Sequence, residues 1–384
     1  MKFSMIFEAQ LSDPTADREA ATIRDCIEQA VFAEEVGFDG IWAVEHHSTV
    51  GYSHMSAPEI FLSAVAARTS RIRIGHGAVC MAFNYNYPTR VAERAAMLDV
   101  ISEGRVNLGA ARGATDQELS LCNVDRDSTK AEVEETLRLV AAAWRGGEAS
   151  FTWDSDLLKV KAAEGRPLHT ILPRPIQSPH PPLYLACSSP ETVETAARYG
   201  VGALVLGFAG THAVADMRRR HLDAIATRDP AGLVSPGVTN DEFVALCPTL
   251  ILDDRDEAIR KGARAQRFFA ESISYWAAPD GTPWATDTED EDNLAYMRAR
   301  TAEGGRTTAT FNPEHAYGTP EDAIAYVQRL QDAGVTEVMC LIQMGTLSQD
   351  DQLETIRQWG EHVIPHFRGE ADGAVTSGGM QWVV

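Results

Sequence analysis

Short apolar runs along the chain alternate with stretches in which apolar residues recur every three or four positions. KFSMIFEAQ (Lys2–Gln10) reads as a first strand. From about Thr22 to Val36, Ile23, Ile27, Val31 and neighbouring alanines fall at helical spacing, and Gly37 supplies a C-terminal cap. The same alternation predicts strands at Gly40–Val44, Arg71–Val79 and Arg105–Ala114, separated by helices near Pro58–Arg68 and Thr89–Ile101. A long helix follows over about Lys130–Trp144. In the second half, strands are expected at Pro182–Ser188, Gly202–Gly207, Phe243–Leu252 and Glu337–Gly345. Helices are expected after them at Glu191–Gly200, Ala213–Thr227 and Asp350–Ile364, with one more at Pro320–Ala333.

Eight strands each followed by a helix, with strands that are apolar throughout, imply a parallel sheet buried on both faces. A closed TIM (β/α)8 barrel is the leading α/β architecture, and an open doubly wound sheet is the alternative. A barrel of this kind takes roughly 250 residues, so the 384-residue chain must carry insertions. Two are expected within a barrel over residues 1–368. One runs over about 145–181, with a possible hairpin at ASFTW and a proline-rich exit. The other spans about 268–318. Loops this long are often lids. A C-terminal tail follows over 369–384.

The formal charge of −21 opposes binding to nucleic acid or to an anionic membrane, both polyanions. The N-terminal apolar run is broken at Glu8, too early for a signal peptide, and no segment reaches transmembrane length. Six cysteines form no C-x-x-C pair and read as reduced core residues of a cytoplasmic protein, without a metal site.

Chemistry is expected where strands end. The apolar strand GIWAV stops at Glu45-His46-His47, and adjacent strand residues point to opposite sides. One imidazole would face a pocket, supported by Glu45 or the other histidine; a hydrogen-bonded structural pair is the alternative. In LGAARGATDQE, small residues at Gly109, Ala110 and Ala111 allow close approach of a ligand, Arg112 follows, and Ala110, Arg112 and Gly113 are the expected cofactor-binding positions. A guanidinium there can grip a phosphate bidentately. Alternatively it pairs with Asp116 or Glu118. Lys130 would add a second positive charge. In ACSSPET, Ser188 or Ser189 suits an N-cap with Glu191 in a capping arrangement, and a helix start also binds anions. Gln343 interrupts an apolar strand; it suits the edge of a heterocycle or a backbone bond in the core. No phosphate-binding P-loop, H-E-x-x-H, nucleophile elbow or dinucleotide fingerprint occurs.

Together, FAEEVGFDGIWAVEHH, NYPTRVAERAAMLDVISEGRVNLGAARGATDQE, LACSSPETVETAARYGVGAL and the closing QMG and VIP resemble the bacterial luciferase-like, flavin-dependent monooxygenases. The resemblance covers about Lys2 to His366, outside the insertions and tail. It implies a TIM-type barrel binding reduced FMN at the strand C-termini, with O2 as co-substrate. It further implies a separate NAD(P)H:flavin reductase and oxygenation of a small aldehyde, ketone or aromatic through a C4a-(hydro)peroxyflavin. A homodimer or higher homo-oligomer is expected by the same analogy. By position, His46 matches the active-site histidine, tuned by Glu45, with His47 beside it. Arg112 matches a phosphate-binding arginine and Lys130 another basic group. Ser188, Ser189 and Glu191 lie on the phosphate loop, and Asn86 lies where the chain passes the isoalloxazine ring. The family's phosphate loop ends in threonines, and Pro190-Glu191 here leaves mainly backbone amides. Substrate would be lined by Gly51–Pro58, Phe83, Tyr275 and Trp276. Rival readings are a deazaflavin-dependent hydride transferase on the same barrel, a non-catalytic flavin-binding homologue and a metal-dependent hydrolase.

Overall fold

The computed structural model describes residues 1–145, 151–164, 171–205, 210–277, 283–303 and 311–369. Eight parallel strands close into a barrel: β1 (Lys2–Phe7), β2 (Gly40–Ala43), β3 (Arg73–Cys80), β4 (Val106–Ala111), β7 (Leu183–Cys187), β8 (Gly202–Val205), β9 (Phe243–Ile251) and β11 (Glu337–Leu341). Closure comes from β8 pairing with β9, β9 with β11 and β11 with β1, which rules out the open sheet. Two short strands outside the ring, β5 (Trp153–Asp154) and β6 (Lys159–Val160), form an antiparallel pair. A further strand, β10 (Ala316–Gly318), runs parallel beside β9.

The helices are α1 (Ala16–Val36), α2 (Pro58–Ala66), α3 (Pro88–Ile101), α4 (Asp116–Leu121), α5 (Thr129–Arg145), α6 (Pro190–Tyr199), α7 (Thr211–Ala226), α8 (Arg255–Ala277), α9 (Asn293–Glu303), α10 (Pro320–Asp332) and α11 (Gln349–Gln358). Gly37 ends α1 at φ 103°, a conformation open to glycine at little cost.

The tryptophan of GIWA plugs the barrel. Trp42 on β2 reaches across to the edge of the Tyr184 ring on β7, a non-neighbouring strand, with centroids 5.0 Å apart. Its Nε1 donates to Glu337 at 2.8 Å, and Ser4 donates to the same carboxylate at 2.6 Å. Glycine makes the space: a Cβ on Gly75 would lie 2.3 Å from the Trp42 ring, and one on Gly202 2.3 Å from Tyr184. With this plug in place, ligand chemistry is confined to the open end.

Two expected boundaries shift. Residues 268–277, expected to open the second insertion, continue α8, because its apolar stripe carries on through Phe268 and Phe269, both buried. The hairpin expected at ASFTW lies partly outside the described residues, and the pairing seen begins at Trp153, whose Nε1 is held by Glu135 of α5 at 2.6 Å. The tail beyond Gly369 lies outside the described residues. No helix among the described residues is long and apolar enough to cross a membrane.

Candidate active site

The C-terminal ends of β1, β2 and β4 converge on one imidazole. Glu118 is the third residue of α4, where Thr115 caps the helix in a reciprocal capping box. One Glu118 oxygen accepts from the Thr115 amide at 3.0 Å and its hydroxyl at 2.8 Å. The other accepts from His46 Nδ1 at 2.8 Å and from the His47 amide at 3.1 Å. Burial alone would raise the Glu118 carboxyl, but the His46 hydrogen bond and charge, with the Thr115 and His47 donors, outweigh it and hold it at about 2. An ionised carboxylate only accepts, so the hydrogen sits on Nδ1 of His46.

On the far side of the ring, Glu8 stands just beyond β1 with one oxygen 3.9 Å from His46 Nε2. Burial pushes the Glu8 carboxyl up to about 7, against the pull of the His46 charge and the Tyr52 hydroxyl. For His46, burial disfavours the charged ring, but Glu118, Glu8 and Glu45 together raise its pKa above the ordinary value. Tyr52 meets the His46 ring edge-on at 4.9 Å and donates to Glu8 at 3.4 Å.

Glu45 serves a different histidine from the one expected. His47 Nε2 bonds Glu45 Oε1 at 3.0 Å, while His46 turns away, as alternation along an extended chain requires. Glu45 therefore acts on His46 only through space. Its remaining bonds come from the Cys80 amide at 2.9 Å and Asn86 Nδ2 at 2.8 Å. Asn86 in turn accepts from Arg94, which bonds Glu59 at 2.9 Å. Both ends of the Asn86 amide are thus engaged, its nitrogen by Glu45 and the Cys80 carbonyl and its oxygen by Arg94. His47 stacks on Tyr85 at 5.6 Å, and the buried Tyr85 hydroxyl has no hydrogen-bond partner among the described residues.

The expected phosphate residues gather at β4 and β7, which are paired neighbours. Arg112 is exposed. Its alternative partners are taken: Asp116 by Arg126 and Glu118 by His46. Gly113 adopts φ 90°, and a Cβ there would press on Tyr85 at 3.1 Å. Ala110 is fully buried, register-paired with Val79 on β3 and Leu185 on β7. Lys130 is not a free charge, because it bonds Glu191 at 3.1 Å across the starts of α5 and α6. Ser189 is the N-cap of α6, and the reciprocal partner is Thr192, three residues on, not Glu191. The amides of Ser188 and Ser189 both donate to the Thr192 hydroxyl at 3.1 Å. They are occupied, which corrects the expectation that they are the main anion donors.

Gln343 has both ends of its amide satisfied by one residue: its oxygen accepts from the Gln10 amide at 2.8 Å and its nitrogen donates to the Gln10 carbonyl at 2.9 Å. It ties the end of β11 to the end of β1. A cavity of about 190 Å³ opens beside this pair, between α1 and the segment after β11, and no member of the His46 cluster lines it.

The loop after β2 closes over the cluster. Ser53 Oγ donates to the Glu8 carbonyl at 2.7 Å, and Trp276 of α8 donates to the Val50 carbonyl at 3.0 Å. Tyr52 meets Phe269 edge-on at 5.4 Å, and Tyr275 packs edge-on against Trp276 and Trp284. Phe83 lies on the β3–α3 loop, its amide held by Glu132 at 2.7 Å.

A luciferase-like monooxygenase family model matches residues 1–337, most of the chain. The chain belongs to the luciferase-like monooxygenase family. Within it, the chain is 30% identical over 353 residues to an F420-dependent glucose-6-phosphate dehydrogenase of Amycolatopsis mediterranei, covering 90% of this chain and 95% of that protein. It is 27% identical over 208 residues to the oxygenase component of the flavin-dependent trigonelline monooxygenase of Acinetobacter baylyi, covering 53% of this chain and 54% of that one. The fold is similar to that of the monooxygenase RslO1 from Streptomyces bottropensis, with a TM-score of 0.75 at 24% identity over 96% of this chain and 100% of the other.

Proposed function

We propose that the protein is the oxygenase of a two-component system. It would use reduced FMN, delivered by a separate NAD(P)H:flavin reductase, and O2 to insert one oxygen atom into a small aldehyde, ketone or aromatic. The observation that carries this reading is the imidazole of His46 at the open end of the barrel, held at Nδ1 by a buried carboxylate and left with Nε2 for chemistry. The Acinetobacter relative, named as an oxygenase component, supports a separate reductase.

The donor set fits FMN. Arg112, with its nearby acids already committed, offers a planar fork to a phosphate near the start of α6. Reduced FMN would supply the electrons that activate oxygen. The remaining work falls to the chain. Glu118 fixes the tautomer of His46, Nε2 gives or takes the proton of the reacting oxygen atom, and the Tyr52 loop packed on α8 keeps water out.

The Amycolatopsis relative favours a second reading, hydride transfer with F420 and no oxygen. Anaerobic titration with reduced FMN and, separately, reduced F420, followed by admission of O2 with a panel of aldehydes, ketones and phenols, separates the two. Tight binding of reduced FMN with O2 consumed in step with product supports the oxygenase. Binding of F420 alone, with turnover indifferent to O2, contradicts it.

A further inference from the structure

Two buried carboxylates flank His46, and they are treated differently by their surroundings. Glu118 has both oxygens filled, by Thr115 on one side and by His46 and the His47 amide on the other. Glu8 is pinned as firmly, since its carbonyl accepts from Ser53 Oγ at 2.7 Å and from the His54 amide at 3.3 Å. Yet its Oε2, buried, has no hydrogen-bond partner among the described residues. A carboxylate kept only for packing or structure would have that oxygen satisfied, because a buried unpaired acceptor costs about 1–3 kcal/mol. The nearest polar atom identified for it is Nε2 of His46, at 3.9 Å, on the face of the ring that Glu118 leaves open.

We propose that Glu8 is a positioning residue that acts through His46, exchanging a proton with Nε2 while Glu118 holds Nδ1. This rests on the reading of His46 as the acid or base of the reaction. In the forward step the Nε2–H bond of the imidazolium breaks and an O–H bond forms on Glu8 Oε2. The ring becomes neutral and the carboxylate becomes a carboxylic acid. In the reverse step the Glu8 O–H bond breaks and the Nε2–H bond re-forms, and it is this proton that the imidazolium then gives to the reacting oxygen; Glu8 is left a carboxylate and regains its proton from water. The separation exceeds a hydrogen bond, as is common for catalytic pairs before substrate binds, and closes by a side-chain rotation or through one water.

The titratable groups acting on the pair are Glu118 from α4 and Tyr52 from the closing loop, both in contact with it, and Glu45 after β2 through space; α8 contributes the ring of Phe269 against Tyr52. Burial places the Glu8 carboxyl at about 7, so near neutral pH both of its forms are populated and the exchange is close to balanced.

The test is a histidine-selective NMR titration of the cofactor-free protein, with His46 assigned by the loss of its signal in His46→Asn. Glu8→Gln keeps the side-chain volume and the acceptor for Tyr52 but cannot ionise. The midpoint of His46 is expected to fall by about one to three pH units in this variant, since an opposite charge 4–6 Å away moves a titration by that much. A second inflection near neutrality should vanish with it. Glu8→Asp, which keeps the charge, is expected to hold the midpoint close to wild type. An unchanged His46 midpoint in Glu8→Gln overturns the proposal, as does an equal fall in Glu8→Asp, which would assign the effect to packing. Neither result depends on flavin or on turnover, so a failure here is separable from a failure of the oxygenase reading.

Discussion

Replacing Glu118 by glutamine tests whether the His46–Glu118 contact is an ion pair or a neutral hydrogen bond. Glutamine keeps the size and an acceptor oxygen, so the variant removes charge with little change of shape. The carboxyl is held at about 2 against an ordinary 4.5. At 1.36 kcal/mol for each pH unit that displacement is worth roughly 3 kcal/mol. The side chain is fully buried, so solvent screening takes little of it away. A retained neutral hydrogen bond would return about 1 kcal/mol, leaving an expected loss of roughly 2 kcal/mol. The sign follows from the direction of each displacement. A carboxyl lowered by folding stabilises the protein above its unfolded value near 4.5, and that contribution disappears as pH falls through about 2. His46 is raised by folding, so its share is complete below its ordinary value near 6.5 and is lost as pH climbs through the raised one. The penalty should therefore be largest at about pH 5–6 and shrink in both directions. Urea unfolding followed by tryptophan fluorescence, for wild type and variant across this range, reads it directly. Equal stability of the two proteins at about pH 5–6 would refute the ion pair.

Three further outcomes follow from the same contacts. Arg112→Ala should weaken FMN binding by about 10- to 150-fold, the worth of one charged hydrogen bond, with an unchanged melting temperature; unaltered affinity by fluorescence titration would remove Arg112 from the phosphate site. His46→Ala should lower turnover by about 10² to 10⁴ while FMN affinity stays within a few-fold, and a wild-type rate would take His46 out of the mechanism. Gln343→Leu strands the buried amide and carbonyl of Gln10, so it should cost about 2–5 kcal/mol in thermal unfolding; loss of FMN affinity without loss of stability would instead restore Gln343 to the cofactor.

The barrel was legible because its signal is local. Each strand is a short apolar run and each helix a 3.6-residue pattern, so eight of each could be placed without knowing which strands pair. The end of β2 was legible for the same reason: Glu45-His46-His47 breaks an apolar run. What a sequence hides is the partner. Glu8 and Glu118 lie 38 and 72 residues from His46, and only the parallel pairing of β1, β2, β3 and β4 side by side brings them to its two ring nitrogens. Glu118 did leave a trace, since T-x-x-E at Thr115 is a capping-box spacing, and Glu8 another, as the acid that ends the first strand. The partners of Gln343 and Lys130 are hidden in the same way, the bond found for Gln343 being the core alternative weighed for it. Each looks like a free functional group until Gln10, 333 residues away, and Glu191, 61 residues away, are found bonded to it. Asn86 belongs with them, because its amide is spent on Glu45, Cys80 and Arg94.

A crystal structure with FMN bound tests the central claim most directly. The account expects phosphate oxygens within hydrogen-bond distance of the Arg112 guanidinium at the start of α6, and the isoalloxazine ring reaching to His46 Nε2. A phosphate seated elsewhere, for example in the cavity between α1 and the segment after β11, with His46 facing no part of the ring, would contradict it.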